Sequence, residues 1–316
     1  MSTPTLPQLG GGLFLSDGGL ETTLVFLEGV ELPHFAAFVL LADAAGRQRL
    51  KRYYLPYLEL CAATPGAGFV LETPTWRANP DWAQRLGYDA AALAGANADG
   101  VRLVRELRDE WRDRIAGPIV LSGIIGPRGD GYVADAPESQ ADAARYHLAQ
   151  AEALRDGGVD MLAAVTMTTS AEALGVARAA AAVGVPAAIS FTVETDGRLP
   201  SGETIAAAIE RVDADTPPAY YALNCAHPSH FDTMLAAAGA WAGRIRGIRA
   251  KASARSHAEL DEATELDIGD PADLGDRYLR LRAPLPALNV LGGCCGTDAR
   301  HLRAIRDAWV GSRLPH

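Results

Sequence analysis

Short apolar runs alternate along the chain with longer segments in which polar residues recur every three or four positions. Most of the runs are apolar throughout, and turn residues bound them, which is typical of strands buried on both faces of a parallel sheet. Eight runs have this character: Leu13–Ser16, Phe69–Thr75, Pro118–Ile125, Met161–Thr166, Pro186–Thr192, Tyr220–Cys225, Ile245–Ala252 and Ala287–Cys295. The pattern therefore predicts an α/β fold with a parallel sheet.

The segments between the runs predict the helices that connect such strands, because their polar residues fall on one face at helical spacing. Ser170 and Thr297 are typical of helix starts, and Gly158 and Gly184 are typical of helix ends. The predicted helices include Arg47–Ala63, Glu138–Asp156, Ser170–Val183, Pro228–Ala242 and Thr297–Val310.

Eight strand–helix units predict a closed (β/α)8 TIM-type barrel, since eight strands leave an interior that side chains just fill. The 316 residues show no linker, internal repeat or low-complexity tract, so we expect residues 1–316 to form a single domain. A doubly wound open sheet is the alternative. It is disfavoured because no G-x-G-x-x-G follows the first run, as a dinucleotide site would require.

Composition excludes several classes of partner. Hydrophobic residues make up 48% and charged residues 22% of the chain, as in a globular protein with a large core. The 39 acidic residues exceed the 29 basic ones, and the net charge of -10 repels phosphate backbones and anionic lipid. We therefore expect no nucleic-acid or membrane partner. Without a secretion signal or an 18-residue apolar run, we expect a cytoplasmic protein whose cysteines are thiols.

Three of the four cysteines fall where predicted strands end. Cys225 closes the sixth run, and Cys294 and Cys295 close the eighth. Functional groups of such barrels collect at the carboxyl ends of the strands. The glycines around Cys294 and Cys295 allow the chain to leave strand geometry, so that two neighbouring cysteines can serve one site. Three thiolates with one open position are typical of a catalytic zinc site.

Other interpretations of the cysteines remain open. Free cysteines often act as small buried hydrophobes, and this is our interpretation of Cys61, which lies in a predicted helix. A rival metal set is Cys225 with His227 and His230, in the spacing C-x-H-x-x-H. An iron–sulfur cluster would normally require a fourth cysteine, and Cys61 is on the wrong element.

With these residues the chain resembles the homocysteine S-methyltransferase family. The similarity extends from near Phe14 to Ala308. The shared motifs are Asp17-Gly-Gly-Leu-Glu-Thr, Ser122-Gly-Ile-Ile-Gly-Pro, Asn224-Cys225 and Gly292-Gly-Cys-Cys-Gly-Thr.

The resemblance implies a zinc ion, Zn2+, held by three cysteine ligands. It also implies two catalytic residues, of which the first would lie near the amino group of the bound amino acid, and a glycine loop after the third strand that frames the site. The ligands would be Cys225, Cys294 and Cys295, and the catalytic residues Asp17 and Asn224. The glycine loop would be formed by Gly123 and Gly126, and Ser122 and Gly123 would bind substrate.

Three positions differ from the usual family pattern. Val165 stands where the family has a glutamate that holds the substrate ammonium, and Trp76 stands where a tyrosine is usual. Both are expected to be substrate-binding residues. Lys251 replaces an asparagine and is a candidate for binding a substrate carboxylate. Glu194, after the fifth strand, is a candidate replacement for the missing carboxylate.

The expected substrates are a small-molecule thiol acceptor and a cationic methyl donor. Asp17 and Glu21 lie one helical turn apart and could pair with a substrate ammonium. Phe35, Trp76 and Trp82 could hold the donor cation against their aromatic faces.

These features predict a zinc-dependent S-methyltransferase. It would move a methyl group from S-methylmethionine or S-adenosylmethionine to homocysteine or a related thiol, giving methionine. One alternative is a methyltransferase for a thiol without the usual ammonium group. A second alternative is a barrel that binds zinc and thiols without catalysis.

Overall fold

In a computed structural model that describes residues 5–134, 139–263 and 265–311, eight parallel strands close into a barrel in chain order. Phe14 and Leu15 of the first strand pair with Val290 and Leu291 of the last, which closes the sheet. The predicted (β/α)8 barrel is therefore confirmed. The strands are β1 (Phe14–Leu15), β2 (Gly68–Glu72), β3 (Ile119–Ile125), β4 (Met161–Met167), β5 (Ala187–Phe191), β6 (Tyr220–Asn224), β7 (Ile245–Ala250) and β8 (Val290–Gly293).

Helices connect the strands and cover the outside of the barrel. They are α1 (Leu20–Thr22), α2 (Ala44–Ala62), α3 (Pro80–Arg85), α4 (Ala90–Trp111), α5 (Gln140–Gly157), α6 (Ser170–Val183), α7 (Ile205–Asp213), α8 (Asp232–Ala236), α9 (His257–Asp261), α10 (Pro271–Arg280) and α11 (Ala299–Gly311). A π-helical turn, Thr23–Leu27, extends α1, and short 3-10 helices occupy Pro7–Gly10, Pro33–Phe35, Ala37–Ala42, Pro228–Phe231 and Ala240–Arg244. Over the described residues, none of the helices is both long enough and apolar enough to cross a bilayer.

Helix ends follow the local chemistry of the sequence. Gly158 and Gly184 adopt the left-handed conformation that ends α5 and α6, as predicted. The start of α6 was placed correctly, but its cap is Thr169, whose side chain accepts from the Glu172 amide, rather than Ser170. The predicted start of α5 at Glu138 lies outside the described residues.

The prediction of one continuous helix over Pro228–Ala242 is wrong. This stretch is divided into a 3-10 helix, the short α8 and a second 3-10 helix. Gly239 has extended dihedral angles (φ -124°, ψ -157°) and separates the last two elements. Glycine is disfavoured in the interior of a helix because it loses more conformational freedom on folding than any other residue.

The amino end of the barrel is closed by the segment that precedes β1. Gln8 is fully buried, and its Nε2 donates to Met161 Sδ at 3.2 Å and to Tyr220 Oη at 3.4 Å. Asn289 Nδ2 donates to the Gln8 carbonyl at 2.8 Å. Leu6 packs beside this group in the inner core cluster. The amino end is thus filled by neutral side chains.

The inner face of the barrel changes from apolar to polar toward its carboxyl end. Side chains two residues apart on a strand share a face. On β2 the buried Val70 of the inner cluster is therefore followed on the same face by Glu72, and on β7 Gly247 is followed by Arg249. Polar groups consequently line the carboxyl end, where the connecting loops converge.

Candidate metal and substrate site

The three predicted metal ligands come together at the carboxyl end of the barrel. The Sγ atoms of Cys225, Cys294 and Cys295 all lie within 4.8 Å of one another. Cys225 follows β6 directly, and the other two follow β8. The Sγ atoms of Cys225 and Cys295 are 3.6 Å apart. In their reduced, thiolate form these three cysteines would be a soft donor set suited to zinc.

The loop that carries Cys294 and Cys295 is fixed by backbone hydrogen bonds to β7 and its extension. The Cys294 amide donates to Ala250 O at 2.8 Å, and the Ala252 amide donates to Cys295 O at 3.0 Å. Gly296 follows with φ 78°, and a β-carbon there would crowd the Asp267 carbonyl oxygen. The strand ends at Gly293, so the chain leaves strand geometry at the cysteine pair, as the flanking glycines predict.

Cys225 has a strained backbone. Its φ of 53° is in the left-handed region, which costs a non-glycine residue on the order of 1–2 kcal/mol. The Cys225 amide donates to Arg249 O at 3.0 Å, and its carbonyl accepts from His257 Nε2 at 2.7 Å. These bonds hold the peptide in a conformation that the isolated chain disfavours.

The expectation that all four cysteines are thiols is wrong for two of them, because Cys225 and Cys294 lie close enough to be joined by a disulfide in this structure. Cys295 is a free, partly buried thiol. Burial raises the pKa of the Cys295 thiol above its ordinary value. Metal binding by all three cysteines requires the disulfide to be reduced, since the ligand form of cysteine is the thiolate. The sulfur atoms already lie close enough for one ion to reach all of them.

A cavity of about 320 Å³ opens beside the cysteines. Its wall includes all three cysteines together with predicted substrate-binding residues from the first, second, fourth and seventh strand ends. Those residues are Asp17, Glu21, Trp76, Val165 and Lys251. Asn224 also lines the cavity. The volume is within the range of small-molecule sites.

Arg249 binds two buried carboxylates at this end of the barrel. Its Nη2 lies 2.9 Å from Asp17 Oδ1, and its Nη1 forms an ion pair with Glu72. Arg249 Nε donates to Gly293 O at 3.1 Å. This bond connects the two ion pairs of Arg249 to the residue that precedes Cys294 and Cys295. Tyr53 Oη donates to Asp17 Oδ2 at 3.0 Å. Asp17, the predicted partner of a substrate ammonium, is therefore bound by protein groups here.

The pKa of Glu21, a carboxylate on the cavity wall, lies near neutral pH, as does that of Glu72. Burial raises the pKa of Glu21 from 4.5 to about 7, and the nearby Asp17 carboxylate acts in the same direction. A cation entering the cavity would favour the ionised form of this side chain.

Asn224 fixes the strand ends next to Cys225. Its Oδ1 accepts from the Thr166 amide at 2.9 Å and from Ser190 Oγ at 2.6 Å, and its Nδ2 donates to Thr166 Oγ1 at 2.9 Å. Thr166 has φ 63°, a second left-handed residue beside the site. The side chain predicted to be catalytic thus joins β4, β5 and β6.

The aromatic residues differ in what they face. Trp76 lines the cavity, and its Nε1 is buried without a hydrogen-bond partner among the described residues. Arg77 lies between two indoles, with its Cζ 4.0 Å from the Trp76 ring centroid and 3.9 Å from that of Trp82. Trp82 is thus stacked on arginine rather than placed on the cavity wall. Phe35 stands at the wall and is 41% exposed.

Among the described residues that line the cavity, the predicted Ser122 and Gly123 are missing. Ser122 is fully buried within β3. A β-carbon at Gly123 would contact Leu154 and Leu162, so this position faces the outer core. Within the same motif, Gly126 packs closely against Trp76, because a β-carbon at this position would overlap that residue.

Val165 and Lys251 both reach the cavity. Val165 gives its part of the wall an apolar surface. Lys251 is 1% exposed, and its Nζ donates to Arg255 O at 2.6 Å. Glu194, the suggested substitute carboxylate, instead binds His257, with 3.1 Å between Oε1 and Nδ1.

The rival metal ligands are bound elsewhere. His227 Nδ1 lies 2.7 Å from Ser229 Oγ, and His230 Nε2 lies 2.9 Å from Ala254 O. Cys61 is buried in α2, with its Sγ 3.4 Å from Gly68 O. Its packing environment agrees with a role in the core.

A comparison with protein families decides the class of this chain. Residues 14–309 match the family model described as Homocysteine S-methyltransferase. The chain belongs to the homocysteine S-methyltransferase family. As a member of this family it is an enzyme of the thiol S-methyltransferase class, which acts on small-molecule substrates.

Individual relatives of this homocysteine S-methyltransferase family member are distant in sequence. Homocysteine S-methyltransferase 1 of Brassica oleracea var. italica is 23% identical over 324 residues, which cover 93% of each chain. The homocysteine methyltransferase MmuM from Escherichia coli has a similar fold. Its oxidized form gives a TM-score of 0.74 at 21% identity, covering 95% of this chain and 99% of that one. Its metallated form gives 0.73 at 21% identity, covering 94% and 96%.

Four residues at the site of this family member were missed by sequence analysis. Glu72 and Arg249 were detectable in principle, because each is a charged residue in a strand expected to be buried on both faces. Tyr132 and His257 lie in loops or at a helix start, where the sequence carries no periodic signal. Tyr132 comes from the long loop after β3, and its Oη lies 3.3 Å from Cys225 Sγ.

Proposed function

We propose that the chain is a zinc-dependent S-methyltransferase that moves a methyl group from a sulfonium donor to homocysteine, giving methionine. S-methylmethionine and S-adenosylmethionine are the candidate donors. The proposal rests mainly on one observation: the sulfur atoms of Cys225, Cys294 and Cys295 lie within 4.8 Å of one another on the wall of a cavity.

The cysteines would hold zinc with three protein ligands and leave one position for a substrate sulfur, as catalytic zinc sites do. Zinc bound there lowers the pKa of the acceptor thiol, so that its nucleophilic thiolate form is available near neutral pH. The disulfide between Cys225 and Cys294 must first take up two electrons and two protons. A cytoplasmic location would supply the reducing conditions.

The carboxylates of the cavity support a cationic substrate. Glu21 and Glu72 stand on the wall, and an ammonium or sulfonium group would gain charge-assisted contacts there. Glu72 is held by Arg249, whereas Glu21 lies on the α1 turn beside the cavity. We therefore assign to Glu21 the binding of the substrate cation. Asp17 pairs with Arg249, and we assign to it a role in fixing the shape of the cavity wall.

Trp76 supplies an aromatic surface for the donor. Its ring lies on the wall of the cavity, where a sulfonium group could rest against it at a gain of about 0.5–2 kcal/mol. Its buried Nε1 could donate a hydrogen bond to a substrate oxygen.

Methyl transfer itself requires little acid–base chemistry from the protein. The acceptor thiolate forms a bond to the methyl carbon while the bond from that carbon to the donor sulfur breaks, and both products leave as neutral thioethers. The task of the chain is to hold the two sulfurs in line, since positioning is the main source of rate in such a step. The bonds of Arg249 and Asn224 between strand ends keep the wall rigid for this purpose.

Val165 favours a second candidate, a methyltransferase for a thiol without an ammonium group, because it places an apolar side chain where the family usually has glutamate. The test is a grid of donors and thiols on the reduced, zinc-loaded enzyme. We expect homocysteine to be strongly preferred over 3-mercaptopropionate with at least one sulfonium donor. Preference for 3-mercaptopropionate would support the second candidate, and bound zinc without transfer to any thiol would indicate a binding protein.

A further inference from the structure

His257 is hydrogen-bonded to the backbone of Cys225. It is the first residue of α9 and is 7% exposed. Its Nε2 donates to the carbonyl oxygen of Cys225 at 2.7 Å, because a carbonyl can only accept. Its Nδ1 faces Glu194 Oε1 at 3.1 Å, and this bond lowers the pKa of Glu194 below its ordinary value. Both edges of the ring are therefore fixed.

The bond from His257 reaches the cysteine whose backbone most requires restraint. Cys225 has φ 53°, and the direction of its side chain follows from the orientation of this peptide. Its amide is held by Arg249 O, and its carbonyl is held by His257. Without the second bond, the strained residue could relax toward an extended conformation and turn its sulfur away from Cys294 and Cys295.

Tyr132 contacts both His257 and the sulfur of Cys225. Its ring stacks on His257, with centroids 4.1 Å apart and an interplanar angle of 29°. Its hydroxyl donates to Cys225 Sγ at 3.3 Å and lies 3.6 Å from Cys295 Sγ. The imidazole of His257 thus makes two contacts. It stacks against Tyr132, whose hydroxyl contacts the cysteine sulfurs, and it donates a hydrogen bond to the carbonyl of Cys225.

We propose that Glu194, His257 and Tyr132, the His257 cluster, position the Cys225 sulfur for metal binding, with His257 as the positioning residue. The inference rests on the proposed function, because it takes the three cysteines to be the metal site. Its readouts are the metal and the thiols, so it is tested separately from methyl transfer.

The first experiment measures zinc affinity of the reduced full-length protein by competition with a chelator. We expect His257→Ala to weaken zinc binding by about 10- to 100-fold, the usual effect of removing a group that orients a ligand. His257→Gln keeps an amide donor at the position of Nε2 and should restore most of the affinity. The cobalt-substituted protein should show altered thiolate-to-metal absorption bands in His257→Ala and nearly normal bands in His257→Gln.

His301→Ala is a matched control for general destabilisation. His301 is fully buried and, like His257, lies between a carboxylate and a carbonyl, with Asp298 Oδ1 at 3.1 Å and Ile268 O at 2.7 Å. This variant should lower the Tm without changing zinc affinity or the cobalt spectrum. Equal losses of affinity in His257→Ala and His301→Ala, or unchanged affinity in His257→Ala, would overturn the proposal.

A second experiment needs no metal. In the reduced, metal-free protein, iodoacetamide labelling of Cys225 is followed by mass spectrometry. Cys61 is the control for unfolding, because this core thiol should stay unlabelled while the protein is folded. His257→Ala and Tyr132→Phe should both label Cys225 faster than the unmodified protein, by about threefold or more, since each removes a contact to the sulfur or its peptide. Unchanged labelling in both variants would contradict the proposal. Absence of zinc binding by the unmodified protein would instead contradict the proposed function.

Discussion

The two ends of the barrel are built on the same strands but contain opposite kinds of buried side chain. At the amino end, Gln8, Met161 and Tyr220 form a neutral, hydrogen-bonded plug. At the carboxyl end, Glu72 and Arg249 form a largely buried ion pair on the wall of the cavity that the cysteines also line. One end is packed with neutral side chains, whereas the other presents ionisable groups and cysteines to a cavity.

The carboxyl end also carries the backbone strain. Thr166 and Cys225 both have left-handed φ values, and both lie at this end. Buried charges and left-handed residues lower folding stability unless their surroundings fix them. The hydrogen bonds of Asn224 and the ion pairs of Arg249 provide that restraint. At the amino end, by contrast, Gln8, Met161 and Tyr220 contribute through hydrogen bonds between neutral side chains.

The largest expected effect comes from a cysteine at the carboxyl end. Cys295→Ala removes one of three ligands, and activity should fall by more than about 100-fold. Removing a group that only orients a ligand costs up to about 100-fold, and removing a ligand itself should cost more. The circular dichroism spectrum of Cys295→Ala should be unchanged, because Cys295 lies on a loop after β8. Cys61→Ala, a buried cysteine away from the cavity, should keep zinc and activity. Tight zinc binding by Cys295→Ala would contradict the ligand assignment.

Arg249→Leu should have the largest effect on stability. It leaves Asp17 and Glu72 buried without their cation, which should lower the free energy of unfolding by about 3–5 kcal/mol in urea titrations. Arg244→Leu is the control, because Arg244 pairs with Asp213 in a half-exposed position and should cost no more than about 1 kcal/mol. Equal losses in the two variants would show that the Arg249 network is not the main restraint at this end.

The pH dependence of donor binding tests Glu21. Its pKa is raised to about 7, so its negative charge appears as pH rises from 6 to 8. The KM for a sulfonium donor should therefore fall over this interval and be about tenfold higher at pH 8 in Glu21→Gln, which should show a flatter profile. A steep profile in Glu21→Gln would assign the titration to another group.

The same shift has a consequence for stability. Between pH 4.5 and 7 the folded state holds a proton on Glu21 that the unfolded state releases. Stability therefore falls with rising pH in this window, and it should fall less in Glu21→Gln. Urea titrations at pH 5 and pH 8 on both proteins measure this difference.

The smallest effect is expected at the amino end. Gln8→Ala removes bonds to Met161 and Tyr220 and should lower the free energy of unfolding by about 1 kcal/mol. Activity should stay within about twofold of the original, because the plug is at the opposite end from the cavity. A large loss of activity would show that the two ends are coupled.

Much of this division could be predicted from the sequence, because strands buried on both faces leave continuous apolar runs. Cys225, Cys294 and Cys295 could be placed at one end because each follows such a run. The partnership of Glu72 with Arg249 could not, because it joins strands far apart in the chain. The contacts of Tyr132 and His257 depend on loop conformations, which side-chain periodicity does not encode.

The central claim is that three cysteine sulfurs hold one zinc ion at the carboxyl end of the barrel. X-ray absorption at the zinc edge, combined with metal analysis of the reduced protein, tests it most directly. We predict one zinc per chain with three sulfur neighbours, and loss of that zinc in Cys295→Ala. Zinc surrounded by nitrogen and oxygen alone, or the same sulfur count in Cys295→Ala, would contradict the account.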